Sequence, residues 1–399
     1  MNLEPRTSNV ELRTSNFERR TSNVEPRTEA RLIIAASETD ANLFYATRFV
    51  APDPFVFLWH GPEKILLMSD LELDRARAQA GVDTVLPIRT YEDRAKAAGV
   101  ERPGVPDALC ELLKERQIRS LLVPGGFAVE YADRLRERGL TLTVKPEPFF
   151  EERLVKSSSE VEAITRALRR TEAAMDAALG AIREAEVRDD LLWWQGKVLR
   201  AEEIKRLIAR QLLEDGFIAQ HTIVACGEDG CDPHNEGSGP LRPDRSIIID
   251  IFPRDMETRY FGDLTRTVVK GRAPEALRRM YHAVMAGQEC AFRSIRDGAE
   301  GDAIHREVQR TLEESGFRTG EVDGRMQGFF HGTGHGLGLD IHELPRISKA
   351  KATLRAGNVV TVEPGLYYPG VGGVRIEDVV VVSERGCQNL TKSPKELEV

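Results

Sequence analysis

The sequence predicts an α/β amino-terminal domain followed by a larger α+β domain that carries the chemistry. Three observations predict this. Apolar runs of strand length alternate with helical stretches from residue 31 to about residue 150. Beyond residue 157, two amphipathic helices precede a pair of carboxylate-bearing apolar strands, and the same arrangement then repeats. Five side chains suited to divalent cations, Asp250, Asp263, His335, Glu363 and Glu377, fall in that second region, each in its own local motif.

At 399 residues the chain exceeds one ordinary domain, and its 41% apolar content can fill two cores. A net charge of −8 and a pI near 5.7 exclude a general nucleic-acid binder, which needs a basic face. No apolar run approaches the roughly 18 residues of a membrane span, and the first residues lack the apolar core of a signal peptide. Cys110, Cys226, Cys231, Cys290 and Cys387 are scattered and match no zinc or CxxC spacing. They are expected as free thiols in a cytoplasmic protein.

Residues 4 to 28 repeat a heptapeptide, running EPRTSNV, ELRTSNF, ERRTSNV and then EPRT. Each copy offers one apolar residue where a coiled coil needs an a/d pair, and Pro5 and Pro26 oppose a helix. A disordered tail is therefore expected over residues 1–30. The α/β domain is expected over residues 31–150. There RLIIAA, PFVFLW, KILLMS, TVLPI, SLLVPG and LTLTVKP read as strands. PDALCELLKERQ and FAVEYADRLRERG read as helices, the second closed by Gly139. Neither GxGxxG nor a P-loop occurs there, so no nucleotide is assigned to it.

The second domain is expected over residues 151–399. Ser157-Ser158-Ser159-Glu160 is a capping box, and the helix behind it places Ile164, Leu168, Met175, Leu179 and Ile182 on one face. RDDLLWWQGK comes next, with Trp193 and Trp194 expected to pack between helices. A second helix, AEEIKRLIARQLLEDG, ends at Gly216, and the strands HTIVACG, SIIIDIF and YFGDLTRTVVK follow. Helices over PEALRRMYHAVMAGQECAFRSI and DAIHREVQRTLEESG then lead through a His- and Gly-rich segment to NVVTVEPGLYY and GGVRIEDVVVV. Two helices followed by a carboxylate-bearing strand pair occur twice. This implies a pseudo-symmetric domain with its site between the halves.

Asp250 ends the apolar run Ser246–Ile249, and Asp263 lies in the returning strand. A hairpin turning at Pro253–Glu257 would pair residue 250 with residue 263 and project both carboxylates from one face. Opposed like charges destabilise a hairpin, and a bound cation turns the repulsion into attraction. Glu363 and Glu377 interrupt apolar β-runs, where a buried carboxylate is costly unless paired or liganded. Arg375 shares a face with Glu377 and offers it a salt bridge, which leaves Glu363 unexplained. His331, His335 and His342 lie within twelve residues of a glycine-rich segment that lets imidazoles approach an ion. The spacing is not HExxH, so a lone-zinc site is unsupported. Any of these residues alone reads as a turn, a solvated charge or a structural group. Together, four carboxylates and one imidazole suit two divalent cations that share bridging oxygens and deliver a water as hydroxide, so the pattern predicts hydrolysis.

GDLTRT, HGTGHGLGLDIHELP, TVEPGLYY, VRIED and the Asp250 strand resemble the motifs of the pita-bread metallopeptidase family, over roughly residues 155 to 385. That family includes methionine aminopeptidase, aminopeptidase P and prolidase, with creatinase as a metal-free relative. The α/β domain resembles the amino-terminal domain of aminopeptidase P, prolidase and creatinase, which disfavours methionine aminopeptidase. All five metal positions are filled, which disfavours a creatinase-like hydrolase and a non-catalytic binding protein.

The resemblance implies a pita-bread fold and a role for each residue. Asp250 matches the family's first, bidentate aspartate. Asp263 and Glu377 match the bridging pair, and His335 and Glu363 the remaining ligands. His342 resembles the histidine that stabilises the tetrahedral intermediate, His331 one beside the substrate, and His234 a further site histidine. Arg375 matches the arginine preceding the last glutamate. One departure stands out: Asp250-Ile251-Phe252-Pro253 leads into a longer loop than the family's Asp-x-Gly turn, which leaves the loop's contact with substrate open.

The implied activity is hydrolysis of the N-terminal Xaa-Pro bond of a peptide with proline at its second position, aminopeptidase P-like, with prolidase as the alternative. Glu363 is expected to carry the proton, His342 to stabilise the oxyanion, and His234, His331 and Arg375 to position substrate. Two manganese ions are expected because the donors are mainly oxygen, with cobalt or zinc as substitutes. The resemblance further implies a dimer or larger homo-oligomer. No nucleic-acid or membrane partner is expected.

Overall fold

The structure is a computed structural model and describes residues 29–399, so the heptapeptide repeat lies outside the described residues. Six strands, β1 (Ala30–Ala35), β2 (Phe55–His60), β3 (Glu63–Met68), β4 (Thr84–Pro87), β5 (Ser120–Pro124) and β6 (Thr141–Lys145), form a mixed sheet in the order β4-β3-β2-β1-β5-β6. Side chains alternate across it. Leu32, Val56 and Leu58 pack under Leu109, Leu112 and Leu135 of the helices Val105–Glu115 and Val129–Glu137. Ile33, Phe57 and Leu66 meet Leu43, Phe149 and Phe150 on the opposite face. Both faces are therefore covered, which is why these strands read as continuous apolar runs.

The long helix Ser158–Glu184 begins at the expected capping box, with the Ser157 amide donating to Glu160 Oε2 at 2.9 Å. It packs with the helix Ala201–Glu214 against β7 (Ile223–Cys226), β8 (Ile247–Ile251) and β9 (Leu264–Val268), an antiparallel sheet in that order. The helices Glu275–Ser294 and Gly301–Glu314 cover the second set. This set comprises β10 (Gly334–Gly336), β11 (Glu343–Ile347), β12 (Val359–Val362), β13 (Gly365–Tyr368), β14 (Gly372–Arg375), β15 (Asp378–Val382) and β16 (Cys387–Asn389). Here five strands run in the order β11-β10-β12-β15-β16, while β13 and β14 pair separately. The two halves meet where the Glu377 amide donates to the Thr265 carbonyl at 3.1 Å and Arg266 donates to the Glu377 carbonyl at 2.6 Å. This mixed α/β architecture is the pita-bread fold expected from the sequence.

Two local expectations are corrected. Asp250 pairs with Thr265, not Asp263. The hairpin holds this register further out, with Arg254 bridging Phe261 and the Asp255 amide donating to the Tyr260 carbonyl at 3.0 Å, so it turns over residues 256–259 and not at Pro253–Glu257; Arg254–Asp255 also pairs with Phe217–Ile218. Residues 186–198 form a three-stranded antiparallel sheet, where Trp193 faces Glu186 and Val198 instead of lying between helices.

Candidate metal centre

His335 sits mid-strand in β10, flanked by two glycines that cannot be replaced without moving backbone. A Cβ on Gly334 would lie 1.9 Å from the Thr361 carbonyl oxygen, and one on Gly336 2.4 Å from that of Leu344. The His335 Nδ1 donates to the Gly336 carbonyl at 3.1 Å, which turns Nε2 towards the carboxylates. Nε2 lies 3.3 Å from Glu363 Oε1 and 3.7 Å from Asp263 Oδ2.

Glu363 and Glu377 occupy a gap between two ladders. β12 pairs with β15 as far as Val362 and Asp378, and β13 with β14 from Gly365 and Arg375. In that unbroken register the two glutamates stand opposite each other. Asp263 lies two residues before Thr265, so it shares the sheet face of Thr265 and its partner Asp250. One ligand atom each from Asp263, His335 and Glu377 fall within 4.8 Å of one another, all three buried. The Thr265 hydroxyl donates to Glu377 Oε2 at 2.8 Å, and Arg375 Nη2 to Asp250 Oδ2 at 2.7 Å.

The residues fit a pair of divalent cations. Asp250 Oδ1 is a buried acceptor with no protein partner. Burial, then the charge of Asp250, pushes the Asp263 carboxyl well above its ordinary range; burial, then Asp263, does the same to Glu377. Glu363 goes the other way: burial would raise it, but the hydrogen bond and charge of His335 outweigh burial and hold it low. Crowded buried carboxyls of this kind ionise fully when a cation is placed among them.

A cavity of about 790 Å³ opens onto this wall. All five candidate ligands line it, as do His234, His331, His342 and Arg375. His342 packs edge-on to His335 with ring centroids 4.4 Å apart. Desolvation, then the neighbouring His335, pushes its imidazole down to about 4. His331 Nδ1 donates to the Gly332 carbonyl at 2.8 Å, and burial lowers its pKa. His234 is exposed at the cavity, its backbone amide bonded to Asp232.

Sequence reasoning missed two groups. Tyr367 is fully buried and accepts from Arg375 Nη1 at 3.0 Å while its hydroxyl meets His331 Nε2 at 2.9 Å, so it fixes both. Its only signal was its place in TVEPGLYY. Arg346 is exposed and lines the cavity; its place just after HELP was the signal. His305 is buried and bonded to Thr333 at 2.9 Å, a structural role, and His221 is exposed beside Glu236.

A pita-bread domain with buried carboxylates and a histidine on a cavity wall defines a metal-dependent peptidase. The chain belongs to metallopeptidase family M24, whose model matches residues 162–384. It is 32% identical over 343 residues to the Xaa-Pro dipeptidase of Pyrococcus furiosus, covering 84% of this chain and 87% of that one. It is 37% identical over 176 residues to the uncharacterized peptidase YqhT of Bacillus subtilis, covering 44% and 47%. Among solved structures, the X-Pro aminopeptidase of Thermotoga maritima superposes with a TM-score of 0.76 at 23% identity, covering 93% of this chain and 98% of that one. The dipeptidase of Pyrococcus horikoshii gives 0.75 at 27% identity, covering 93% and 95%.

Proposed function

We propose that this chain is a two-metal Xaa-Pro peptidase that hydrolyses the N-terminal Xaa-Pro bond of peptides. The observation that carries the reading is the convergence of Asp263, His335 and Glu377 within 4.8 Å on a cavity wall shared with Asp250 and Glu363. Asp250, Asp263, His335, Glu363 and Glu377 would hold the two cations. When bound, the pair supplies Lewis-acid activation of the carbonyl and of the attacking water.

The protein groups do the rest. Glu363, held ionised by His335, accepts the proton of the water and passes it towards the leaving nitrogen. His342 is neutral at neutral pH and can donate a ring N–H to the oxygen that gains charge at the reacting carbon. Arg375 and Tyr367 hold His331 beside the substrate, and His234 faces it across the cavity. Four carboxylates against one imidazole favour manganese, with cobalt or zinc as substitutes. A cytoplasmic homo-oligomer is part of the same reading and rests on the motif resemblance and on the scattered cysteines.

Longer peptides suit an aminopeptidase P-like enzyme. One observation favours the dipeptidase reading: Arg346 stands exposed at the cavity and makes no ion pair among the described residues, so it can take the free carboxylate of an Xaa-Pro dipeptide. The relatives named Xaa-Pro dipeptidase point the same way. Metal-replete protein should cleave Ala-Pro, Ala-Pro-Ala or both, lose that activity to a chelator and regain it with manganese. Metal-loaded protein that leaves both peptides intact would end the proposal; the ratio of the two rates separates its branches.

A further inference from the structure

The loop between Asp250 and Asp263, where this sequence departs from the family pattern, carries two arginines into a second and smaller pocket. That pocket, about 240 Å³, is walled by the amino-terminal domain through Ser37, Glu38 and Phe44 and shares Ile341 and His342 with the catalytic cavity. We propose that Arg254 and Arg259 form an anion subsite that takes a carboxylate carried by the peptide substrate. The proposal rests on the Xaa-Pro reading and extends it to what the enzyme selects beyond proline.

The charge balance carries the argument. Arg259 is nine-tenths buried, yet neither it nor Arg254 has a carboxylate within ion-pair distance among the described residues. Both donate to one neutral acceptor, the Glu38 carbonyl, Arg254 Nη1 at 3.4 Å. The nearby acids are engaged elsewhere or face water. Asp340 Oδ2 is held by Arg153 at 2.8 Å, Asp255 by Arg166 at 2.9 Å, and the Glu38 side chain is exposed. Burial, then the like charge of Arg254, lowers the Arg259 pKa, and the more distant charge of the exposed Glu38 offsets only part of this. A buried cation beside a second cation is costly unless an anion is supplied.

The subsite is also built in advance. Arg259 adopts φ 70°, the left-handed region that a residue with a Cβ rarely enters, and it lines the pocket. Asp255 Oδ1 accepts the amides of Glu257 and Thr258 at 2.9 and 3.3 Å, and Arg254–Asp255 pairs with Phe217–Ile218. The two guanidinium groups rest over Phe261 and Phe44, each 5.9 Å from the ring centroid. A guanidinium is a planar fork of donors that suits a carboxylate.

Two parts of a substrate can bring that carboxylate: its C-terminus, or an acidic side chain at its first residue. Three peptides separate them on the metal-loaded enzyme: Ala-Pro-Ala amide, Ala-Pro-Ala, and Glu-Pro-Ala amide. One of the two acidic peptides should show a KM about tenfold below that of the neutral parent, as a charge-assisted pair of hydrogen bonds supplies. Whichever it is names the source. The preference should vanish in an Arg254→Met/Arg259→Met double variant and return in the double Lys variant. If the double Met variant does not fold, Arg254→Met alone, at the less buried guanidinium, should weaken the preference. Equal KM values for all three peptides, or a preference that survives both Met substitutions, would overturn the subsite and leave the arginines as a clasp between domains. If no peptide is cleaved, the Xaa-Pro reading fails; calorimetric Kd values for the same three peptides then decide the subsite by the same ratios.

Discussion

Arg153 Nη2 donates to Glu343 Oε2 at 2.7 Å, one residue beyond His342. The same nitrogen reaches Asp340 Oδ2 at 2.8 Å, and Lys156 holds the other Glu343 oxygen. Arg153 Nη1 continues to Asn42 in the amino-terminal domain at 2.8 Å. Ile341 and His342 are therefore gripped on both sides by cations from the segment that joins the domains. The Arg153, Lys156 and Glu343 side chains are only 8%, 2% and 10% exposed, so the pairing is buried and water cannot replace a lost partner. Removing one member of such a network costs about 3–5 kcal/mol. Arg153→Met should lose stability on that scale in urea denaturation and lower kcat, because His342 is no longer fixed. An unaltered unfolding midpoint would show that the network is not what holds this segment.

Glu363→Gln tests the proton carrier. The amide keeps the size of the side chain but cannot accept a proton, and it loosens the contact with His335 Nε2 now at 3.3 Å. A fall in kcat of about 10²–10⁴ is expected, the range for a general acid–base group. Bound metal measured on the same sample separates loss of the base from loss of the ions. Full activity with full metal content would assign the proton to another group.

What the sequence displayed and what it hid divide along physical lines. The strands of the amino-terminal sheet were legible because both faces are buried, which leaves unbroken apolar runs. The five candidate ligands were legible because each lies in a short local motif, and the structure brings them to one cavity. The pairing of Asp250 was not, because register depends on how far the connecting loop runs. The strands stay paired as far as Arg254 and Phe261, so the turn falls at residues 256–259 and Asp250 meets Thr265. The sheet over residues 186–198 was hidden by its turns. Asp189-Asp190 and Gln195-Gly196 all take positive φ, the two-residue hairpin geometry, but Asp-Asp and Gln-Gly are weaker signals than Asn-Gly. Tyr367 was marked in the sequence only by its place in TVEPGLYY, since its role comes from contacts with His331 and Arg375 on separate elements.

Thr265 reports on the hold over the metal wall. Its hydroxyl donates to Glu377 Oε2 at 2.8 Å, which holds the carboxylate beside Asp263 and His335. In Thr265→Val the shape is kept and the donor lost, so Glu377 is free to rotate. Outer hydrogen-bond partners of this kind are typically worth about 10–100-fold in metal affinity. Calorimetric titration with manganese should show a weaker Kd on that scale with the fold intact by circular dichroism. An affinity equal to wild type would place Glu377 under the control of backbone geometry alone.

Asp255 gives a pH-dependent test of the loop that carries Arg254 and Arg259. Burial would raise its carboxyl, but the hydrogen bond from Arg166 and the amides of Glu257 and Thr258 outweigh burial and hold it below the ordinary aspartate range. A carboxyl lowered by folding stabilises the native state above its unfolded pKa of about 3.9, and this contribution is lost as pH falls through the folded value. The stability difference between wild type and Asp255→Asn should therefore stay constant from about pH 7 to about pH 5 and shrink below about pH 4. Urea denaturation of both proteins across that range measures it. An Asn variant as stable as wild type at neutral pH would mean that the loop is held by its β-pairing to Phe217–Ile218, and that the ion pair with Arg166 adds nothing to its rigidity.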